Sequence, residues 1–360
     1  MAAACCAVLL TTGAVACGPG EKSAAEKLDK AFDRLGEEKS VALDIAPDAS
    51  ADTIYTALKD SGKKGKKDDD FGRDDAEILA GLKLSYGISS TVPLKTKDKK
   101  KGDVALSVKV AKKDDGAALF ELRSVDKKTF LRADLKAVVG MKKATNAKER
   151  EKKREVEEML RRADGLPPAL GAFRDVIKGE WVVLDAKDVE EFRKKAEEKN
   201  GGGKKELDKK TEKQVSDALR KALTENSRIK ETGSRNGADH IEVTVSARKA
   251  AKDLKEAVKP IESQLSAAGR SKKLPDPDEV PDQDVVFDVA LKDGRLSAIG
   301  FDMSRMDKDV HGKLPVSLNF GRTPEPVTAP SGAKELKLQD VMGAMMGLAA
   351  EKSGGKNRSV

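Results

Sequence analysis

The chain is 360 residues long and carries 70 Lys and Arg against 62 Asp and Glu, a net charge of +8 on a mixed population. A nucleic-acid binder gathers its cations on one face among base-stacking aromatics. Here basic runs are interleaved with acids, and one Trp, two Tyr and nine Phe are all the aromatics there are. Nucleic acid is therefore excluded as a partner, while weak attraction to anionic lipid headgroups is compatible with the charge.

In chain order, the first element is a leader. Val8-Leu9-Leu10-Thr11-Thr12-Gly13-Ala14-Val15-Ala16-Cys17-Gly18 is uncharged and mostly apolar, and no acid or base precedes Glu21. An apolar run that ends on small residues has the form of a secretory signal, here 1–16; it is too short to span a bilayer. The basic residues that open such a leader are missing, which points to a translation start further upstream. Cys5 and Cys6 lie inside the leader, so Cys17 is the one thiol left after cleavage and no disulfide supports the fold. The remaining chain must build an ordinary core from Val, Leu, Ile and Ala, and its length suffices for one.

Residues 17–23 are a tether. Ser23-Ala24-Ala25-Glu26 reads as a capping box that opens a helix with Leu28, Phe32 and Leu35 on its apolar stripe. Val41, Leu43 and Ile45 alternate as a strand ended by Pro47, and Ile54, Tyr55 and Leu58 mark a second helix. From Gly62 to Asp70 opposing charge blocks without an apolar residue predict a solvated loop. A meander follows. Leu82, Leu84, Tyr86 and Ile88 alternate, as do Val104, Leu106, Val108 and Val110. Asp114-Asp115-Gly116 turns the chain, and Ala118, Phe120, Leu122 and then Thr129, Leu131, Ala133 continue it. One face of this meander is apolar and the other wet.

Leu135–Val139 predicts a helix and Ala147–Arg162 a highly charged helix or solvated arm. Pro167-Pro168 suits a helix start, with Leu170, Phe173, Val176 and Ile177 on the buried side. Trp181, Val183 and Leu184 give a strand, Val189 and Phe192 a short helix, and Gly201-Gly202-Gly203 a loop. A helix with Val215, Ala218, Leu219, Ala222 and Leu223 leads into a second half that repeats the grammar of the first. Ile229 begins a strand, Asn236-Gly237 is a tight turn, and Ile241, Val243 and Val245 return. Ala250, Leu254, Val258, Ile261 and Leu265 share one face of a long helix, followed by a Pro-rich linker from Arg270 to Asp284.

The last hairpin turns at Lys292-Asp293-Gly294-Arg295, and two phases fit each of its strands. These are Val286, Asp288, Ala290 or Val285, Phe287, Val289, Leu291, and then Leu296, Ala298, Gly300 or Ile299, Phe301. Val316, Leu318 and Phe320 form a last strand, and 351–360 a polar tail. Helices and strands come in blocks, so the fold class is α+β. We expect a single domain, 24–350, built of two similar halves at about 24–200 and 205–350.

Ala14-Val15-Ala16-Cys17 resembles the lipobox of bacterial lipoproteins. That resemblance implies cleavage after Ala16, acyl chains on Cys17, and a place on the extracytoplasmic face of the cell membrane. The element order behind it is similar to that of the LolA-like and LprG/LppX-type lipoproteins of actinobacteria. The likeness is carried by the opening helix running into Val41–Ile45, by Gly179–Asp185 before a short helix, and by Gly237–Val245 before another. Val285–Leu291, Gly294, Leu296–Asp302 and the strand Val316–Phe320 complete it. It covers most of the chain after the leader and is a pattern, not a signature motif. It implies an open, strongly curved antiparallel sheet, about half a barrel, with helices covering its concave face. Between the layers it implies an apolar cavity for a lipid or glycolipid. The chain departs from that family in its length, with charged insertions near Lys63–Asp75 and Lys142–Arg162. On this reading Leu28, Phe32, Leu84, Tyr86, Leu106, Val108, Leu254 and Val258 line the cavity; plain core packing suits each position as well.

Catalytic and metal signatures are missing from the sequence. His240 lies in an alternating strand and His311 in a Gly-flanked loop, and with one thiol no zinc set of Cys and His assembles. There is no P-loop, no nucleotide-binding glycine pattern and no Gly-x-Ser-x-Gly elbow. Asp68-Asp69-Asp70 and Asp74-Asp75 lack the spacing of a calcium loop. The expectation is a monomeric non-enzyme without cofactor that binds or carries a lipid. The alternative is a structural or interaction lipoprotein with a filled interior.

Overall fold

The computed structural model describes residues 23–60, 71–96, 104–141, 147–165, 171–185, 187–191, 209–267, 276–278, 280–321 and 325–337. The leader with Ala16 and Cys17, the loop at 61–70, Pro167-Pro168, the triple glycine and the polar tail lie outside them. The fold is α+β. It divides into two compact units, the first drawn from Met1–Ala80, Pro93–Lys95 and Gly203–Pro324, the second from Gly81–Val92, Thr96–Gly202 and Glu325–Val360. The halves read from the sequence follow chain order; these units do not.

The first unit opens on α1 (Ala24–Glu37) with the full capping box. The Ser23 hydroxyl accepts from the Glu26 amide at 3.3 Å, and the Glu26 carboxylate accepts from the Ser23 amide at 3.1 Å. β1 (Ser40–Pro47) pairs with β11 (Pro315–Phe320), a strand from the other end of the chain. The remaining strands are β7 (Ser227–Arg235), β8 (Ala238–Ser246), β9 (Asp284–Lys292) and β10 (Arg295–Asp302). They run in the order β1-β11-β10-β9-β8-β7, and every pairing among them is antiparallel. Asn236-Gly237 and Asp293-Gly294 carry positive φ at both positions, the turn that matches strand twist in a two-residue hairpin.

Directly opposed residues of antiparallel strands share a face. Register places Ile45, Leu318, Ile299, Val289 and Ile241 in one row across five strands. α1 crosses this face. At one end Lys27 pairs with Glu231 on β7; at the other Arg34 donates to the Asp293 and Gly294 carbonyls at 3.1 and 3.0 Å. Leu28 and Ala31 are buried between them. The last hairpin resolves its two phases in a mixed way. Val285, Val289 and Leu291 are buried on β9, but on β10 both Leu296 and Ile299 are, because a bulge between Leu296 and Ala298 shifts the alternation.

Three further helices of this unit form their own cluster. Ala218 and Ala222 of α7 (Lys209–Glu225) meet Leu254, Val258, Ile261 and Leu265. The single long helix expected there is α8 (Ala247–Val258) and α9 (Glu262–Ala267), joined by a 3-10 turn at Lys259–Ile261. Pro260 in that turn cannot continue the regular hydrogen bonding. α2 (Ala51–Leu58) appears as expected, and α3 (Arg73–Ala80) was not anticipated. The Asp74-Asp75 pair read as part of a charged insertion is its first turn: acids suit a helix start, and the Asp75 carboxylate accepts from the Gly72 amide at 3.0 Å. Ile54 and Ala57 of α2, Ala76 of α3 and Leu314 form a separate cluster of their own.

The second unit holds β2 (Leu82–Ser90), β3 (Val104–Lys112), β4 (Ala118–Val125), β5 (Lys128–Ala133), β6 (Val182–Leu184) and β12 (Lys334–Glu335). Their order is β12-β6-β5-β4-β3-β2. β2 to β5 pair antiparallel as the expected meander, β6 extends it antiparallel to β5, and β12 adds to β6 in parallel. Its helices include α4 (Leu135–Met141), α5 (Ala147–Asp164) and α6 (Gly171–Ile177), and residues 187–191 are helical where a short helix was expected. The strand near Trp181 is phased opposite to expectation. Val182 is its fully buried residue, set against Leu131, while Trp181 turns to the polar side. There its indole lies between the Arg123 and Arg132 guanidiniums, at 4.9 and 4.8 Å.

Candidate ligand-binding site

The meander of the second unit builds a continuous apolar face. Its central row is Tyr86, Val108, Leu122, Leu131 and Val182, one from each of β2 to β6. Leu84, Val110 and Phe120 form the row on one side, Ile88 and Leu106 head the row on the other. The two ends of this face differ. At β5 and β6 it is packed: Val176 and Ile177 of α6 and Ala163 of α5 cluster with Val182, and Leu131 and Leu184 pack against them. At β2 to β4 it is half open. Leu84 and Phe120 are 38% and 37% exposed, and Tyr86, Leu106, Val108 and Leu122 are half-buried.

The opposite face of the same sheet is closed and mixes charged groups with the buried Val125 and Phe130. Glu121 is buried and accepts from Arg123 Nε at 2.8 Å and Arg132 Nη2 at 2.6 Å, so its charge is paired on both oxygens. Val327 and Thr328 lie over this side, and the chain then joins the sheet edge as β12, with Leu336 buried in the Val182 cluster of the apolar face. The Val327 amide donates to Ser89 Oγ at 3.0 Å, and Arg123 Nη1 donates to the Thr328 carbonyl at 3.1 Å. Gly87 sits beneath this stretch, where a Cβ would collide with Ser107 Oγ and crowd Val327 at 3.3 Å. Lys334 pairs with the buried Asp175 of α6, and that ammonium, with Arg174, holds the Asp175 carboxyl below the usual range against the opposing effect of burial.

Beside the packed end of the apolar face lies a cleft of about 750 Å³ between α4, α5 and α6. Val139, Leu160 and Ile177 form its apolar floor, and Leu160 and Ile177 belong as well to the cluster that packs on Leu131. Its rim carries Lys136, Lys153, Arg161 and Lys178, against Asp134 and Glu157. Lys153, Glu157 and Arg161 stand four apart and so share one face of α5. Asp134 is committed to the start of α4, where its carboxylate accepts from the Ala137 amide at 2.8 Å. The first unit has a cleft of about 670 Å³ beside the end of α1, but its arginines are occupied: Arg34 on the turn carbonyls and Arg295 on Glu38.

The eight residues expected to line one cavity divide between the units. Leu84, Tyr86, Leu106 and Val108 share the half-open face of the second. Leu28 is buried and Phe32 half-buried on α1 of the first unit, and Leu254 and Val258 pack within the α7–α9 cluster. The basic rim was not anticipated, although the spacing of Lys153, Glu157 and Arg161 is visible in the sequence. His240 lies on the wet face of the first unit, its Nδ1 2.9 Å from an Asp288 oxygen that also pairs with Arg235. Among the described residues no group of three or more His, Cys, Asp or Glu is placed to hold a metal, and no helix is long and apolar enough to cross a membrane. Set against protein-family models and against curated proteins, the chain matches none of them.

Proposed function

We propose that this is a lipid-anchored protein of the extracytoplasmic membrane face that binds or carries a lipid or similar apolar ligand. The observation that supports it is the half-open surface of Leu84, Tyr86, Val108 and Leu122, which runs into a helix-covered end of the same face. On this reading the second unit's sheet is the curved, half-barrel layer, α4 to α6 are the covering helices, and acyl chains occupy the uncovered part. Each methylene moved out of water is worth about 0.8 kcal/mol, so a lipid leaves a membrane only for a surface that replaces the bilayer interior. The lipobox-like Ala16-Cys17 keeps that surface beside the bilayer.

Native mass spectrometry of the protein purified from its host is the test. One lipid bound per protein is the expected result, together with release of a Cys17→Ser variant from the membrane fraction. Ligand-free protein contradicts the carrier and favours an interaction module. Unchanged fractionation of the variant contradicts the anchor.

A further inference from the structure

We propose that the ligand is an anionic amphiphile, its head held at the α4–α6 cleft by Lys136, Lys153 and Arg161 and its chain laid along the β2–β4 face. The inference rests on the preceding reading of an apolar ligand and adds the chemistry of its head. Volume comes first: about 750 Å³ is ample for a phosphate-sized head and the first carbons of a chain. Position follows, because the cleft floor is continuous in packing with the sheet face. Leu160 and Ile177 line the cleft and pack in the cluster that includes Leu131, the neighbour of Leu122. α4, which supplies Lys136 and Val139 to the cleft, begins directly after β5 and lies against β4, the strand of Phe120 and Leu122.

Charge selects the head. The rim sets four cations against two carboxylates, a net positive charge, and Asp134 also caps the start of α4. Lys153 and Arg161 flank Glu157 on one helical face, so an anion placed there meets two cations one turn either side of a single acid. Charge-assisted bonds from lysine and arginine to a phosphate or carboxylate are stronger than neutral ones. A neutral head of the same size would leave that advantage unused.

The test is calorimetric titration of the full-length protein with 1-oleoyl lysophosphatidate, 1-monooleoylglycerol and inorganic phosphate, the lipids kept below micelle formation. The two lipids share a chain and differ in the phosphate. Lysophosphatidate is expected to bind at least about tenfold more tightly, equivalent to about 1.4 kcal/mol, with the preference shrinking as salt rises. A Lys153→Glu/Arg161→Glu variant should lose the preference and retain monooleoylglycerol binding, which also reports that it is folded. Glu157→Gln should widen the preference several-fold.

Equal binding of the two lipids, or a preference that survives the double variant, overturns the anionic head and leaves the apolar-ligand reading standing. Loss of both lipids by the double variant overturns it too, since the cleft would then serve the chain. Inorganic phosphate binding as tightly as lysophosphatidate assigns the cleft to a free anion. Binding of neither lipid by the unaltered protein overturns the apolar-ligand reading, and the inference with it.

Discussion

The two units solve the same problem, the apolar face of an antiparallel sheet, in different ways. In the first, α1 crosses the face from Glu231 on β7 to the Asp293-Gly294 turn, and Ile299, Val289 and Ile241 beneath it are 2%, 1% and 0% exposed. In the second, the helices gather at β5 and β6, and Leu84 and Phe120 at the other end are 38% and 37% exposed. The alternating strand patterns are alike. What differs is whether a helix anchored at both ends spans the sheet. A closed face contributes stability, whereas an open one gives up some of that contribution and keeps a surface available.

Stability should separate the two faces most clearly. Leu28→Ala removes a buried side chain of α1 itself and is expected to cost about 3 kcal/mol. Phe120→Ala on the half-open face is expected to cost about 1 kcal/mol, because the site is already partly hydrated and can relax. Urea unfolding followed by circular dichroism measures both. Similar losses at the two positions would erase the distinction.

A smaller effect concerns the strap that Lys334 of β12 makes to α6 in the second unit. The Asp175 carboxyl is held below its ordinary value by Lys334 and Arg174. A depressed carboxylate contributes stability that is complete above its unfolded value, about 3.9, and is lost as the pH falls through the folded one. The melting temperature should therefore decline below about pH 4, and Asp175→Asn should flatten part of that decline. Asp302 of the first unit works in the same sense: burial pushes its carboxyl up, but bonds from the Leu314 amide and from Ser304 outweigh it. The part left in Asp175→Asn should belong to groups such as Asp302. An unaltered acid limb in Asp175→Asn contradicts the role given to the strap.

Much of the fold was legible because it is local. The Ser23/Glu26 box, the four strands of the meander and the Asn236-Gly237 and Asp293-Gly294 turns each depend on a few neighbouring residues. The misses are non-local. Trp181 faces the polar side because two arginines from β4 and β5 stack on it, which no reading of the 181–184 segment contains. β1 joins β11 across most of the chain, and β12 joins β6 from well over a hundred residues away. The bulge in β10 broke an alternation that either phase alone assumes. The site was legible to the same degree. Leu84, Tyr86, Leu106 and Val108 alternate as a face, but alternation reads the same whether a helix covers the face or not. That Leu254 and Val258 belong to a filled cluster follows from α7, not from their own spacing.

The account stands on the open end of the second unit's apolar face as the seat of the ligand's chain. A lipid bearing a photoactivatable diazirine near the end of its acyl chain, cross-linked to the full-length protein and mapped by peptide mass spectrometry, tests this directly. Labelling is predicted in the peptides that carry Leu82–Ser90, Val104–Lys112 and Ala118–Val125. Labelling concentrated instead around Leu28, or around Leu254 and Val258 in the closed unit, would contradict it.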